Sequence, residues 1–255
     1  MSASILVTGG TGTLGRLVTP LLRDTGARLR VLSRGSRATE PGVEHVTGDL
    51  LKNEGLTAAV AGVDTILHLA GGAKGDAEAT ANLVRAAHRA GTVRHLVHIS
   101  VIGADRMPLA WFANQRGAEQ AVTESGLPWT MLRAAQFHDL VLTMVRGMSK
   151  LPLIPAPGGL RFQPVATADV ASRLAELTLG DPAGLVPDLA GPTVYTLDEL
   201  VRGYLSANGR RRLFLPIRIP GKAGRAYRAG HNLNLDTAVT GEHTWEDFLA
   251  DRVPA

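Results

Sequence analysis

A chain of 255 residues, 45% hydrophobic and 20% charged, has room for a substantial buried core and the composition of a globular protein rather than a disordered one. It contains no cysteine, which excludes disulfides and thiolate metal centres; no metal site is expected. The net charge is +4, but only Arg210, Arg211 and Arg212 form a run, so a solvated basic turn is expected there and no nucleic-acid partner, although an arginine-rich surface also suits a phosphorylated ligand.

The opening MSASILVTGG has no basic leader, and no later stretch reaches the ~20 apolar residues that span a bilayer. A cytoplasmic protein without a membrane partner is the expectation. Strands are predicted over 4–7, 28–32, 43–46, 65–69, 95–99 and 129–133, and helices over 14–24, 77–90 and 109–125. This alternation implies right-handed βαβ units and a doubly wound parallel sheet with helices on both faces.

After Gln136 the rhythm changes. A short apolar helix over 139–149 runs into KLPLIPAPGG, where three prolines and two glycines predict an irregular segment of the kind that acts as a lid. A helix over 167–179 follows, with Thr167 as N-cap and Asp169 in its first turn. Helices over 197–208 and 244–252 flank the strand-like RRLFLPI. Residues 1–135 are therefore read as the doubly wound Rossmann-type core. Residues 136–255 are read as a mixed segment that completes the sheet and forms a small substrate lobe, within a single structural unit.

The most specific motif is ILVTGGTGTLG, residues 5–15. An apolar strand runs into Gly9, Gly12 and Gly15 and a helix begins, the context of a Rossmann dinucleotide turn. Gly9 makes the tight turn, Gly12 admits a pyrophosphate to the backbone, and Gly15 permits close helix packing. With Thr11, Thr13 and Leu14 they present the helix N-terminus to the phosphates. After the second strand come Leu32, Ser33, Arg34, Gly35, Ser36 and Arg37, with no carboxylate before Glu40. An NAD site places an acid here for the ribose 2′-hydroxyl and an NADP site places arginine on the 2′-phosphate, so Arg34, supported by Arg37, favours NADP(H) over NAD(H). Asp49 and Leu50 follow the third strand, where they can meet the adenine. Ala70, Gly71 and Gly72 follow the fourth, where small residues let a cofactor lie against the backbone.

These segments, with LHLAGG, HISVIGAD, RGAEQAV, LPWTMLRAAQFHD and FQPVATADVA, resemble the atypical short-chain dehydrogenase/reductases, particularly their NmrA-like NAD(P)-binding branch, over roughly residues 4–175. The resemblance implies NAD(P)H binding in the N-terminal part and a substrate cleft under the C-terminal lobe, with Gln136 and Phe137 near the nicotinamide. It also implies a Tyr-x-x-x-Lys pair on the helix after the fifth strand. Counting back from Glu119 puts Gln115 at the lysine place and Trp111 at the tyrosine place. Neither supplies a proton at neutral pH, though Gln115 can still hydrogen-bond a cofactor ribose.

Ser100 and His138 are the remaining candidate catalytic groups. Ser100 can orient a carbonyl or simply cap its strand, and His138 can donate a proton or pack the site. His98 is expected in the core. Apolar Phe137, Leu140, Met144 and Met148 suit a hydrophobic substrate, and equally a core.

Three functions remain open. The favoured one is an NADP(H)-dependent oxidoreductase passing hydride to a quinone-, enone- or iminium-like acceptor. The others are a non-catalytic NADP(H)-sensing regulator with a protein partner, and a non-redox isomerase or cyclase.

Overall fold

The computed structural model describes residues 3–38 and 40–252. The elements, in chain order, are β1 (Ser4–Thr8), α1 (Gly15–Arg23), β2 (Arg28–Ser33), β3 (Val43–Thr47), α2 (Leu56–Val60), β4 (Thr65–His68), α3 (Asp76–Ala90), β5 (His95–Val101), α4 (Ala110–Thr123) and β6 (Trp129–Ala134). There follow α5 (His138–Met148), β7 (Leu153–Pro157), β8 (Arg161–Phe162), α6 (Thr167–Leu179), β9 (Gly184–Leu185), β10 (Leu189–Ala190), β11 (Tyr195–Thr196), α7 (Leu197–Ala207), β12 (Leu213–Ile217), α8 (Gly221–Arg228), β13 (Val239–Thr240) and α9 (Trp245–Arg252).

The chain divides into two compact units. The first comprises Met1–Ser100, Ala110–Leu132 and Ala171–Val186; the second comprises Val101–Leu109, Arg133–Val170 and Pro187–Ala255. The first unit holds a parallel sheet in the order β3-β2-β1-β4-β5-β6, with β9 paired to β6. Ile5, Leu6 and Val7 are wholly buried, as are Ile66 and Leu67 of β4, because both faces of a parallel sheet are covered. Leu6, Ile66 and Leu96 pack with Leu56 and Ala59 of α2, Leu83 and Ala86 of α3 and Val122 of α4. This strand order reverses direction between β1 and β4, and in open α/β sheets the crevice beyond the strand ends at such a reversal is where ligands bind.

In the second unit the end of β6 pairs with β10 (Ala134 with Leu189), and β10 pairs in parallel with β13. Its core is built by Val141 and Val145 of α5, Leu200 and Val201 of α7, and Trp245 and Leu249 of α9, with Ile154 and Phe162. Met144 and Met148 pack against this core, while Leu140 is exposed. A capping box closes the start of α7: Thr196 accepts from the Glu199 N–H and Glu199 accepts from the Thr196 N–H.

Two expectations need correction. KLPLIPAPGG is not irregular throughout, because its residues 153–157 form β7, paired in parallel with β12. Pro155 and Pro157 are two apart, so their missing N–H groups share one side of the strand, and the Gly158 N–H bonds Ile217 O on the other. Thr167 is the first residue of α6 rather than the residue before it, and its hydroxyl donates to Asp139 Oδ2 at 2.7 Å.

Candidate cofactor-binding site

A cavity of about 400 Å³ opens at the carboxyl ends of β1, β2 and β4, where the strand order reverses. It brings together Gly9, Thr11, Gly12, Arg34, Asp49, Leu50, Ala70, Gly71 and Gly72, nine of the residues expected to hold a cofactor. Thr8, Ser33, Lys74 and Asp76 also line it. Thr13, Leu14 and Gly15 belong to the same turn but do not line the cavity, and Arg37 lies further along the exposed segment after β2. Gln136 and Phe137 belong to the second unit, between β6 and α5.

The glycines of the turn test whether a dinucleotide fits. A Cβ on Gly9, whose φ is +69°, would stand 2.7 Å from Ala70 N, and one on Gly15 would stand 2.3 Å from Gly9 O and 2.4 Å from Gly10 Cα. Both glycines are required by the protein's own packing; at Gly15 the close approach is to the turn itself. Gly12 differs. A Cβ there would meet only Gly9 O, at 3.2 Å, and those on Gly71 and Gly72 would meet nothing nearer than 3.7 Å. These three have no strong internal reason to be glycine, and all line the cavity. Side chains there would fill the space a pyrophosphate and ribose need at the turn that leads into α1. The residues present therefore fit a dinucleotide.

At the adenosine end the Ser33 hydroxyl donates to Gly35 O at 2.5 Å, shaping the turn that carries Arg34. Arg34 is exposed and makes no ion pair among the described residues. Asp49 has a second task beside the one expected of it: its Oδ1 accepts from the N–H groups of Leu51 (2.9 Å) and Lys52 (3.1 Å). That leaves Oδ2 for an exocyclic amine.

Under the cavity runs a hydrogen-bonded chain that sequence reasoning missed. The Ala70 N–H donates to Thr8 Oγ1, which lies 2.7 Å from His68 Nδ1; His68 Nε2 lies 2.9 Å from Thr80 Oγ1, which donates to Asp76 O. Because the Thr80 proton is committed to Asp76, His68 must donate from Nε2 and accept at Nδ1. Only a neutral imidazole does both. Burial, then the neighbouring His98 stacked at 5.1 Å, push the His68 pKa well below its ordinary value. A histidine inside a β-strand gave no sequence signal for this role, since its partners lie 60 residues before and 12 residues after it.

The residues at the tyrosine and lysine places are both engaged. Trp111 Nε1 donates to Gly72 O at 3.1 Å, and Gln115 Nε2 donates to Asp76 Oδ2. Asp76 Oδ1 accepts from the Gly72 N–H at 2.8 Å. Helix α4 thus braces the loop from Gly72 to Asp76. Burial raises the Asp76 pKa, opposed by the Gly72 and Gln115 donors. Ser100 donates its single proton to buried Glu119 Oε1 at 2.6 Å and does not line the cavity.

His138 is fully buried in the second unit, with the Trp245 and Phe248 rings 5.7 and 5.2 Å away. Burial lowers its pKa to about 4, so at neutral pH the ring is uncharged and enclosed. The packing role fits these contacts better than proton donation does.

One consequence is a dependence of stability on pH. His98 and His138 have folded pKa values near 4 against about 6.5 unfolded, and His68 is shifted the same way. Below about pH 6.5 the unfolded chain takes up protons that the folded chain refuses, so stability is full above that pH and falls as the pH drops. Urea unfolding is expected to lose roughly 1 kcal/mol for each of His98 and His138, roughly 2 together, between pH 6 and pH 5, with His68 acting in the same direction. A stability flat over that interval would contradict the neutral, buried assignment.

A family model described as NAD(P)H-binding matches residues 9–179. The (4-alkanoyl-5-oxo-2,5-dihydrofuran-3-yl)methyl phosphate reductase of Streptomyces griseus subsp. griseus is 34% identical over 203 residues, covering 76% of this chain and 70% of the relative. Among solved structures, the NADPH-dependent quinone oxidoreductase of Escherichia coli, complexed with NADPH, superposes with a TM-score of 0.80 at 20% identity, covering 97% of this chain and 99% of that one. The triphenylmethane reductase of Citrobacter sp. gives 0.72 at 25% identity, covering 89% and 88%. The chain belongs to the NAD(P)H-binding family, among the atypical, NmrA-like short-chain dehydrogenase/reductases.

Proposed function

We propose that this protein is an NADPH-dependent reductase whose acceptor is hydrophobic and conjugated, of quinone, enone or iminium type, and that it works without a tyrosine acid. The observation that carries the reading is the use made of Trp111 and Gln115. Both donate to the loop that walls the cofactor cavity, so helix α4 contributes bracing at the two places where the family resemblance implies an acid and its ammonium. Neither side chain can release a proton at neutral pH.

When bound, the reduced nicotinamide supplies hydride. The chain's own residues hold the cofactor: Gly12, Gly71 and Gly72 offer open backbone, Arg34 offers a guanidinium to a 2′-phosphate, and the Gly72–Asp76 loop is held by α4. A simple ketone becomes an alkoxide as hydride arrives and relies on acid catalysis worth ~10²–10⁴. A conjugated acceptor spreads the charge onto its carbonyl, where solvent can protonate it later, and an iminium is simply neutralised by the hydride and needs no proton. The compounds named for the relatives support this class: an unsaturated lactone, a quinone and triphenylmethane dyes are all conjugated.

The test is NADPH oxidation, followed by absorbance, with a quinone, an enone and a saturated ketone of matched size. Turnover of the conjugated compounds at least ~100-fold faster than that of the ketone is expected. Tight NADPH binding with no oxidation by any conjugated acceptor would refute the proposal.

A further inference from the structure

We propose that the outer face of the β7–β12 pair docks on an anionic lipid bilayer. Register sets Leu213 beside Leu153, Leu215 beside Pro155 and Ile217 beside Pro157, and the two-residue period of a strand puts these side chains on one face. The opposite face is covered at its first register, since Ile154 and Phe214 pack into the second unit's core, while Pro216 further along is exposed. A sheet with one face covered normally turns polar residues to water on the other. Here Leu213 is 75% exposed, Leu215 47% and Leu153 42%, with Leu151 and Ile217 also exposed.

Charge identifies the occupant. Segments 140–168 and 200–235, which contain both strands, carry 11 of the 27 Lys and Arg residues and none of the 23 Asp and Glu residues. Lys150, Arg211 and Arg212 line one surface hollow with Leu213, and Arg210 joins Arg211 and Arg212 in a second beside Phe214. Arg202 is occupied, 4.0 Å over the Phe214 ring and 3.6 Å from Asp198, whereas Arg210 and Arg211 have no ion-pair partner among the described residues. Exposed leucines within a cationic rim match an interface in which anionic headgroups meet the arginines and apolar side chains enter below them. Nucleic acid would satisfy the arginines and leave the leucines in water. A second copy would add like charge to the same rim.

No helix among the described residues is long and apolar enough to cross a membrane, so the attachment is peripheral. It replaces the expectation of no membrane partner, which weighed spanning segments only.

The experiment is flotation of the intact protein with vesicles of phosphatidylcholine alone and of equal parts phosphatidylcholine and phosphatidylglycerol. Partition into the mixed vesicles is expected to be at least ~10-fold higher. Arg211→Glu with Arg212→Glu, and separately Leu213→Ser with Leu215→Ser, should each lower it at least ~10-fold while leaving the unfolding midpoint and NADPH affinity unchanged. Equal partition into both vesicles overturns the proposal. So does binding that the leucine pair does not affect and duplex DNA competes away, which marks a nucleic-acid surface. A dimer that the leucine pair dissolves, with no lipid binding, overturns it in favour of self-association.

Discussion

Gly12→Val is expected to weaken NADPH binding on the order of 100-fold or more while the protein stays folded, and Gly15→Ala is expected to destabilise the fold itself by roughly 3 kcal/mol. The two positions belong to one turn, yet the space around them differs. A methyl on Gly15 meets three backbone atoms of Gly9 and Gly10 within 2.6 Å, and backbone cannot swing aside as a flexible side chain can. A Cβ on Gly12 has one neighbour, Gly9 O at 3.2 Å, and the rest of a valine would project into cavity space. The pair therefore separates a glycine kept for packing from one kept for a ligand. Fluorescence titration with NADPH and urea unfolding on both variants read the two effects independently. Wild-type affinity in folded Gly12→Val would move the pyrophosphate away from this turn.

The second large effect concerns the choice of cofactor. Arg34→Ala should weaken NADPH roughly 10- to 100-fold, the worth of one or two charge-assisted hydrogen bonds, and should change NADH by less than about twofold. Arg34 lines the cavity and has no protein ion pair to compete for it. The first carboxylate after β2, Glu40, comes six residues after Arg34 and does not line the cavity. Because Arg34 is exposed, the gap between the two cofactors should narrow as salt is raised. Equal loss for NADPH and NADH would remove the guanidinium from the 2′-phosphate.

The first unit was legible where its central strands are buried on both faces and appear in sequence as apolar runs, such as Ile5 to Val7 in β1 and Ile66 to Leu67 in β4. The second unit was harder to read for the opposite reason. Its strands β8, β10, β11 and β13 are two residues long, too short for any period to show, and β7 was hidden by prolines whose harmless spacing appears only once β12 lies beside it. The cavity wall was readable where local backbone needs decided it, at Gly9, Gly12 and Ala70 to Gly72. The chain through Thr8, His68 and Thr80 was not, because each link depends on which strands become neighbours. Asp76 was missed as well, since only the fold turns the loop toward Trp111 and Gln115.

Those two residues change how α4 is understood. In place of an acid and its ammonium, the helix holds the Gly72–Asp76 loop through one indole and one amide. The proposed chemistry follows from that arrangement: a helix engaged in bracing the cavity loop offers no acid there, and a conjugated acceptor is the kind that would tolerate its lack.

The most direct measurement follows the hydride itself, by incubating the protein with a model enone and NADPH deuterated at the transferring position and locating the label in the product. A saturated ketone with deuterium on the carbon β to the carbonyl is predicted; an allylic alcohol labelled at its carbinol carbon would mean acid-assisted reduction of the carbonyl and would contradict the proposed chemistry.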